Sequence, residues 1–492
     1  MNTANKYYLS TLGILLLLLL FYFINPLNLE IKALKVIVVG LFMISLWILE
    51  WIPMPVVALI PLFVFPIWNI ESLQDISKHY ADPIIFLFMG GFFLALAIEK
   101  WNLHQRIALN ILKKTGGNGN QILLGFMIST FVISMWISNT ATTMMMFPIA
   151  LSVLKVMSRN YDKSTLGNFS TAILLSIAYA SNIGGLSTII GTPPNTAYVG
   201  FMADHMNINI SFFQWFLFCF PLAVLILIAL YFAFTKWLFP NDIKANAKTD
   251  SFLSSKLLDL GPWTKAEKRV FIVFICTATL WMTKDLIVNL LSIPINDTII
   301  AIMGAFALFC LPSGMKPNTN PEINVDEEEN VNHFNNILNW KDTSKMAWGI
   351  LLMFGGGLAL AKAMENAGVM KMIGEGISNY APDNRFLLIM LVATVSIFFS
   401  EVMSNIAQVI VMSPILASLA IALQIPPSIL GIPMTLAASC AGMLPMGTPP
   451  NAIAYSSGLI PLKSMLRAGL VLNLFSIVII SLFSYFIMEF IF

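Results

Sequence analysis

The sequence predicts an all-α protein that crosses a membrane many times and contains an internal repeat. Of its 492 residues, 58% are hydrophobic and only 11% are charged, against about 45–50% and about 25% in soluble domains. The apolar residues form long runs, and the same polar motifs occur twice along the chain. A soluble enzyme is therefore nearly excluded, and a net charge of +2 gives no sign of nucleic-acid binding.

The apolar runs predict spanning helices in order along the chain. The first run, 8–24, ends at Asn25-Pro26 without a small-x-small cleavage pattern, so an uncleaved helix is favoured over a signal peptide. Further simple spans cover 34–49, 56–68, 84–98, 212–234, 271–291, 298–311, 349–364 and 471–491. Between them lie two longer apolar stretches, 121–157 and 386–421, and two stretches interrupted by Gly-Thr-Pro-Pro-Asn, 170–200 and 428–460.

The internal repeat organises the whole chain. A constant offset of 266 residues places twelve residues of the first copy on identical residues of the second. In the first copy these are Phe88, Gly90, Gly91, Ala95, Ala97, Glu99, Ser134, Ser138, Asn139, Ala141, Pro148 and Ile149. After a ten-residue shift, the motif Gly-Thr-Pro-Pro-Asn at 191–195 recurs at 447–451. Matches that include Asn, Ser, Gly and Pro rarely arise by chance in an apolar chain, so the repeat is a strong signal.

The basic residues indicate how each copy is oriented. Seven Lys and Arg residues follow the conserved helix and hairpin of the first copy: Lys100, Arg106, Lys113, Lys114, Lys155, Arg159 and Lys163. The equivalent windows of the second copy contain only Lys371. Short loops rich in Lys and Arg stay in the cytoplasm, so the copies are predicted to be inverted. Inverted repeats are typical of secondary transporters, whose binding site lies near the membrane midplane.

The same charges predict that 121–157 is a re-entrant helical hairpin. Both of its ends are expected to be cytoplasmic, with a turn at 138–140. Each arm then has about 15–17 residues, or roughly 25 Å at 1.5 Å per residue. This length is short of the ~30 Å apolar thickness, which favours a re-entrant hairpin over two full crossings. The stretch 386–421 is its counterpart in the second copy.

Each hairpin has a polar tip, 134–143 in the first copy and 400–408 in the second. Both tips begin with two Ser residues four positions apart, which share one helix face and can direct two hydroxyls at one ion. Na⁺, like other hard cations, is bound by hydroxyl, amide and carbonyl oxygens. A helix N-cap is the alternative for either tip alone. The match between two tips favours a cation site.

The paired Gly-Thr-Pro-Pro-Asn motifs predict broken helices. Two consecutive prolines remove two N–H donors, so the carbonyls around 189–191 and 445–447 lose their partners and can bind a cation. The half-helix that restarts after the prolines presents free N–H groups to an anion. A simple proline kink is the alternative, but broken backbone at membrane depth persists only where it is buried or lines a cavity.

Positive charge is absent from the stretches that hold these motifs. Lys and Arg do not occur in 115–154, 164–235 or 386–462. An anionic substrate must therefore be held by neutral donors, helix N-termini and bound cations, which links substrate binding to the cation. Glu401 is the one charge in the second hairpin, and we predict a structural or coupling role for it. No HExxH, GxSxG or P-loop motif supports an enzyme.

The chain resembles the divalent anion:sodium symporter family, which includes the sodium/dicarboxylate cotransporters of bacteria and animals. The resemblance extends over nearly the whole chain. It is carried by Asp82-Pro-Ile-Ile-Phe-Leu-Phe-Met-Gly-Gly91, Glu99-Lys-Trp-Asn-Leu-His104, the Ser-Asn-Thr tip at 138–140, both Gly-Thr-Pro-Pro-Asn motifs and Phe354-Gly-Gly-Gly-Leu-Ala-Leu-Ala361.

The resemblance implies a homodimer in the cell membrane, with eleven transmembrane helices and two re-entrant hairpins per protomer, that works as an elevator-type transporter. It implies one Na⁺ site at Ser134, Ser138, Asn139 and the Gly191 carbonyl, and another at Ser400, the Met403 carbonyl, Asn405 and the Gly447 carbonyl. It implies substrate contacts from Asn139, Thr140, Thr192, Pro193, Ser404, Asn405, Thr448 and Pro449.

Five parts of the chain follow from the repeat and the resemblance. We predict an N-terminal helix and first scaffold helices at 1–82, a first transport segment at 83–210, scaffold helices and loops at 211–345, a second transport segment at 346–462, and a C-terminal scaffold helix at 463–492. The first transport segment contains hairpin 121–157 and broken helix 170–200. The second contains hairpin 386–421 and broken helix 428–460.

The expected function is sodium-coupled transport of C4-dicarboxylates such as succinate, malate and fumarate. A cation-independent dicarboxylate or 2-oxoglutarate exchanger, a tricarboxylate or sulfate transporter, and an ion channel are the alternatives. The second tip departs from the pattern of many bacterial members, which have Thr where Ile406 stands, and it also carries Met403 and Gln408. A missing hydroxyl removes a hydrogen bond worth about 0.5–1.5 kcal/mol net, so this departure concerns substrate choice and coupling strength.

Overall fold

The computed structural model of the chain describes residues 3–26, 28–49, 52–158, 163–244, 247–314 and 335–492. Within these ranges the regular structure is helical, apart from one isolated antiparallel bridge between Pro312 and Asn336. The all-α class predicted from the sequence is confirmed. Arg159, one of the basic residues that predicted the orientation of the first copy, lies outside the described residues.

Five helices precede the repeat. They are α1 (Thr3–Ile24), α2 (Ile31–Leu49), α3 (Met54–Val57), α4 (Ile60–Ile67) and α5 (Leu73–His79). The predicted span 56–68 is divided between α3 and α4, because Pro61 has no N–H to continue the first of these helices into the second. Ser72 caps α5 by accepting the Asp75 N–H at 3.2 Å.

The first copy of the repeat comprises seven helices. They are α6 (Pro83–Lys100), α7 (Leu103–Thr115), α8 (Gly119–Ser134), α9 (Asn139–Met157), α10 (Lys163–Leu186), α11 (Pro193–Met206) and α12 (Phe212–Phe232). A π-helical turn, Ala233–Leu238, extends α12. Helix α6 begins where Asp82 accepts the Ile84 N–H at 2.8 Å and Pro83 occupies the first helical position, which needs no N–H donor.

Three helices connect the copies. They are α13 (Ala247–Asp259), α14 (Lys265–Leu291) and α15 (Asp297–Cys310), and a 3₁₀ turn at Trp340–Lys345 precedes the second copy. Helix α14 begins six residues before the predicted span 271–291. The extra turns carry Lys and Glu, but Thr264 and Glu267 form a capping box that fixes the start of the helix.

The second copy repeats the first helix by helix. Its members are α16 (Trp348–Asn366), α17 (Val369–Ser378), α18 (Arg385–Ser400), α19 (Asn405–Ala422), α20 (Ser428–Ala438), α21 (Pro449–Ser456) and α22 (Leu462–Ile487). In each copy the first hairpin arm packs on the helix before the break, α8 on α10 and α18 on α20. Each second arm packs on the half-helix of the other copy, α9 on α21 and α19 on α11. This exchange gives the two copies one shared core.

Nine helices among the described residues are long and apolar enough to cross a membrane, and six shorter apolar helices accompany them. The first hairpin arms, α8 and α18, have 16 residues each and span about 24 Å at 1.5 Å per residue. They are too short to cross ~30 Å of hydrocarbon unaided. The polytopic architecture is thus confirmed, while the count of eleven transmembrane helices stays a prediction.

Candidate functional site

A cavity of about 650 Å³ lies where the two hairpin tips meet the two helix breaks. All eight residues predicted to contact substrate line it: Asn139, Thr140, Thr192, Pro193, Ser404, Asn405, Thr448 and Pro449. Ser138 and Gly447 also line it, whereas the predicted cation ligands Ser134, Gly191, Ser400 and Met403 do not. The structure therefore brings the paired motifs to one place, and the role of each residue in binding stays a prediction.

The first tip is a four-residue turn between α8 and α9. The Ser134 hydroxyl is buried and donates to Asn139 Oδ1 at 2.8 Å. Ser138 accepts the Ala141 N–H at 3.3 Å and is the N-cap of α9. The capping role weighed in the sequence analysis is therefore present at Ser138. Ser134 and Asn139 place two oxygens side by side, an arrangement that a cation can share.

The second tip repeats this geometry with one difference. Ser400 Oγ donates to Asn405 Oδ1 at 2.6 Å and also contacts the Ala438 carbonyl. Ser404 precedes α19 as its N-cap residue, but its side chain makes no capping hydrogen bond. The hydroxyl of Ser404 therefore has no capping role, whereas that of Ser138 accepts one N–H and keeps its proton and second lone pair for the cavity. Gln408 is fully buried and donates to the Ser396 carbonyl at 2.8 Å, so it anchors α19 to α18.

The asparagine that ends each Gly-Thr-Pro-Pro-Asn motif stabilises the broken backbone beside it. Asn195 Nδ2 donates to the carbonyls of Gly185 and Thr188 at 3.0 and 2.8 Å. Asn451 Nδ2 donates to the equivalent carbonyl of Ala441 at 3.0 Å. The asparagine side chains thus add donors to carbonyls at and just after the end of the preceding helix.

One of the carbonyls expected to be free for a cation is occupied. The Ile189 carbonyl accepts the Thr196 hydroxyl at 2.7 Å. Thr196 lies on the first turn of α11, and both residues are fully buried. A cation at this break is therefore expected to use the backbone nearer Gly191 than Ile189.

Glu401 joins the second hairpin to the second helix break. One carboxylate oxygen accepts the N–H groups of Gly442 and Met443 at 3.0 and 2.8 Å, and the other accepts the Leu444 N–H at 2.9 Å. Asn473 Nδ2 on α22 donates to the same carboxylate at 2.8 Å. The residue is 3% exposed, and these four donors satisfy a charge that would otherwise be costly to bury.

Two features of the cavity escaped the sequence analysis. Glu99 and Lys345 contribute charge to its described lining, and Lys345 belongs to the 3₁₀ turn before α16, outside the motif stretches. Asn182, near the end of α10, also lines the cavity although it is 1% exposed. A polar residue within an apolar helix close to Gly-Thr-Pro-Pro-Asn was the available signal for Asn182. No sequence pattern marked Lys345.

Broken helices from two copies of one module, meeting around a shared cavity, define a multi-pass membrane protein of the secondary-transporter class. The chain belongs to the family described as the sodium:sulfate symporter transmembrane region, which matches residues 4–491. It is therefore a membrane transport protein rather than an enzyme.

Relatives with assigned names span almost the whole chain. The chain is 35% identical over 484 residues to the sodium-dependent dicarboxylate transporter SdcS of Staphylococcus aureus strain USA300, covering 97% of this chain and 90% of the relative. Its identity to the SdcS protein of strain MRSA252 is 36% over the same coverage.

Two solved structures share the fold. The Alcanivorax borkumensis YdaH transporter aligns with a TM-score of 0.54 at 11% identity, covering 84% of this chain and 87% of that one. Neisseria gonorrhoeae MtrF, described within a class of antimetabolite efflux pumps, aligns with a TM-score of 0.53 at 12% identity and covers 85% and 84%. At these identities the likeness concerns the fold alone.

Proposed function

We propose that the chain is a secondary-active carrier that moves C4-dicarboxylates, such as succinate, malate and fumarate, together with Na⁺. The observation that carries the proposal is the single cavity lined by both hairpin tips and both restarting half-helices. Membership of the sodium:sulfate symporter family and the 35% identity to a transporter named for sodium and dicarboxylate support it.

The cavity offers equivalent neutral donors on two sides. Asn139 and Asn405 supply amide groups from the tips, and Thr192 and Thr448 stand at the start of α11 and α21. The first two positions of each helix are prolines without an N–H, so the attraction for an anion comes from the positive end of the helix dipole. Two equivalent sets of donors suit an anion with a carboxylate at each end.

Sodium ions supply the positive charge that these donors lack. We place one ion at Ser134, Ser138, Asn139 and the Gly191 carbonyl, and its counterpart at Ser400, the Met403 carbonyl, Asn405 and the Gly447 carbonyl. Each site is built from neutral oxygens, the ligand type that Na⁺ takes. A dianion and the ions then stabilise each other, and this mutual stabilisation is by linkage the coupling between them.

Transport by this fold requires that the site move relative to the membrane. We propose an elevator mechanism in which 83–210 and 346–462 carry the site past scaffold segments 1–82, 211–345 and 463–492. The scaffold segments would form the contact of a homodimer and face the surrounding lipid. The shared packing of α9 on α21 and α19 on α11 supports a site that moves as one body.

Uptake of labelled succinate into liposomes that contain the purified protein tests the function. An inward Na⁺ gradient should drive accumulation, and an equal K⁺ gradient should not. Protein-free liposomes are the control for leakage. Equal uptake with the Na⁺ and K⁺ gradients would reject symport. Uptake only when the liposomes contain dicarboxylate would assign the chain as an exchanger.

Sulfate is the second candidate substrate, because the family description names it. Sulfate carries its charge on one centre and would use the donors of one side of the cavity at a time. We expect excess sulfate to leave Na⁺-driven succinate uptake unchanged. Strong inhibition by sulfate, together with Na⁺-driven uptake of labelled sulfate, would reassign the substrate.

A further inference from the structure

A continuous line of hydrogen bonds connects the first hairpin tip to the helix break of the second copy. Ser134 Oγ donates to Asn139 Oδ1 at 2.8 Å, and Asn139 Nδ2 donates to Asn182 Oδ1 at 3.4 Å. Asn182 Nδ2 then donates to Thr448 Oγ1 at 3.0 Å. The line passes from a predicted cation ligand to a predicted substrate ligand, and Asn139, Asn182 and Thr448 all line the cavity.

Thr448, the last residue of the line, can still donate one hydrogen bond. A threonine hydroxyl has two acceptor positions and one proton to donate. Thr448 Oγ1 accepts Asn182 Nδ2 and, as the N-cap of α21, also the Asn451 N–H at 3.4 Å. With both acceptor positions used, its proton must be donated to another group. The cavity that Thr448 lines is where an anion would accept that proton.

The direction of the line depends on which atom of Asn139 faces the tip. Carboxamides can satisfy the same neighbours in either orientation, with oxygen and nitrogen exchanged. A cation beside Ser134 is bound by oxygen and repelled by an N–H group, so it requires Asn139 Oδ1 at the tip. Asn139 Nδ2 must then face Asn182, and Asn182 Nδ2 must face Thr448. In the reversed orientation Thr448 would donate its proton to Asn182.

We propose that Asn182 is a positioning residue that couples the first Na⁺ site to substrate binding by fixing the direction of the Thr448 hydroxyl. The inference rests on the proposed sodium-coupled dicarboxylate transport. Na⁺ at the first tip orients Asn139, Asn139 orients Asn182, and Asn182 leaves the Thr448 proton for a substrate carboxylate. The bound carboxylate in turn favours the orientation that binds Na⁺, as linkage requires.

The coupling is confined to one of the two tips. The residue equivalent to Asn182 beside the second tip is Ala438, whose carbonyl is contacted by Ser400. A backbone carbonyl only accepts hydrogen bonds, so it has no donor with which to orient a further side chain. Thr192, the counterpart of Thr448, makes no side-chain capping hydrogen bond. The first tip is therefore connected to Thr448 of the second copy, whereas no equivalent line of hydrogen bonds among the described residues connects the second tip to Thr192.

Calorimetric titration of purified protein with succinate, in Na⁺ and in K⁺, measures the coupling as the ratio of the two dissociation constants. Asn182→Ala should reduce this ratio about tenfold, the size of one hydrogen bond to a charged group. Its affinity for Na⁺ without succinate should stay near that of the unmodified protein, since Ser134 and Asn139 are retained.

Ser181→Ala is the matched control. Ser181 is the neighbour of Asn182 on α10 and accepts the Thr143 hydroxyl at 2.9 Å, so the variant also removes a hydrogen bond between α9 and α10. Neither Ser181 nor Thr143 lines the cavity. This variant should keep the full ratio. An equal loss in both variants, or no loss in Asn182→Ala, overturns the inference.

Asn182→Asp keeps the test decisive if the alanine variant does not fold. Aspartate has the same shape and still accepts from Asn139, but it cannot donate to Thr448. Succinate affinity should fall at least tenfold while Na⁺ affinity is maintained or increased, and parallel loss of both would contradict the role. If the unmodified protein shows no Na⁺-dependent binding of succinate, the proposed function itself fails, which is a separate result.

Discussion

The two tip asparagines occupy equivalent positions and accept hydrogen bonds from equivalent serines. Asn139 accepts Ser134 Oγ at 2.8 Å, and Asn405 accepts Ser400 Oγ at 2.6 Å. Each asparagine has its carboxamide at the cavity edge and its backbone at the start of the second hairpin arm. Alanine at either position removes an oxygen from a predicted cation site and a donor from the predicted substrate site.

We therefore expect Asn139→Ala and Asn405→Ala each to abolish Na⁺-driven succinate uptake while the protein still folds. Elution as a single species in size-exclusion chromatography checks the fold. Asn110→Ala is the control, because Asn110 donates to the Arg106 carbonyl on α7, away from the cavity. Full uptake by either tip variant would remove that asparagine from the site.

Glu401 gives a second prediction at this scale. Three backbone N–H groups point at its carboxylate, and glutamine in the same place would direct an NH₂ group at some of them. Hydrogen bonds to charged groups contribute about 1.5–3 kcal/mol each. Glu401→Gln should therefore lower the free energy of unfolding by at least about 2 kcal/mol, seen as a lower thermal unfolding midpoint in detergent.

The control for Glu401→Gln is Glu375→Gln. Glu375 lies on the surface of α17, 3.8 Å from Lys371, in an exposed pair. Exposed ion pairs contribute little, so this variant should unfold at the temperature of the unmodified protein. Equal midpoints for the two variants would show that the Glu401 carboxylate does not stabilise the helix break.

Single residues also mark where sequence reasoning reached its limit. Both tips could be predicted because their Ser and Asn residues repeat at a fixed offset. The repeat could not reveal Asn182, because its counterpart is Ala438, and its polarity within an apolar helix was the one signal that marked it. Lys345 reaches the cavity edge through the fold of the loop before α16, which no local pattern encodes. Residues that break the symmetry of a repeat are the ones that a repeat cannot reveal.

At the scale of helices, α22 passes very close to the second helix break. A Cβ atom added at Gly469 would overlap the main chain of Gly442 and Met443. Main-chain atoms cannot move aside as a flexible side chain can. Gly469→Ala should therefore displace the loop that binds Glu401 and reduce succinate uptake at least tenfold, measured at equal protein content in liposomes.

Gly376→Ala is the matched control for Gly469→Ala. Gly376 is also helical, on α17, and a Cβ added there would have no neighbour within 4 Å. Alanine favours helix more than glycine by about 1 kcal/mol, so this variant should be as stable as the parent or more stable. If both variants transport equally well, the close approach of α22 has no functional importance.

Helix α7 is held in place by a buried ion pair. Arg106 donates to both carboxylate oxygens of Glu267 at 3.0 and 3.2 Å and to the carbonyls of Gly261 and Leu260 at 3.0 and 3.2 Å. Arg106→Ala leaves the Glu267 charge buried without its main partner, which costs about 3–5 kcal/mol. The thermal unfolding midpoint should fall clearly.

Lys371→Ala serves as the control for Arg106→Ala, because Lys371 is 81% exposed and its pairing with Glu375 is loose. Its midpoint should stay unchanged. An unchanged midpoint for Arg106→Ala as well would contradict a stabilising role for the Arg106–Glu267 pair.

Helix boundaries were predictable where the chemistry is local. Proline and capping residues set the starts of α6, α11 and α21, and the double prolines correctly predicted both breaks. The division of span 56–68 and the polar start of α14 were not predicted. The first depends on a proline in the second turn of a run, and the second on charged residues that a hydropathy pattern excludes.

At the scale of the whole molecule, the repeat could be predicted from the sequence, but the packing between its two copies could not. The offset of 266 residues predicted two equivalent sets of helices, and the structure contains them in the same order. The packing of each second hairpin arm on the half-helix of the other copy depends on tertiary contacts that leave no periodic signal. That exchange is what brings four separate motifs to one cavity.

The central claim is that Na⁺ supplies the positive charge for a dianion in a cavity whose tips and breaks carry neither Lys nor Arg. Succinate affinity, measured by calorimetry over a range of Na⁺ concentrations with K⁺ keeping the ionic strength constant, tests it most directly. Affinity should rise more than tenfold as Na⁺ replaces K⁺, since even one new charged contact contributes about 1.5–3 kcal/mol. Equal affinity in pure K⁺ and pure Na⁺ would contradict the claim.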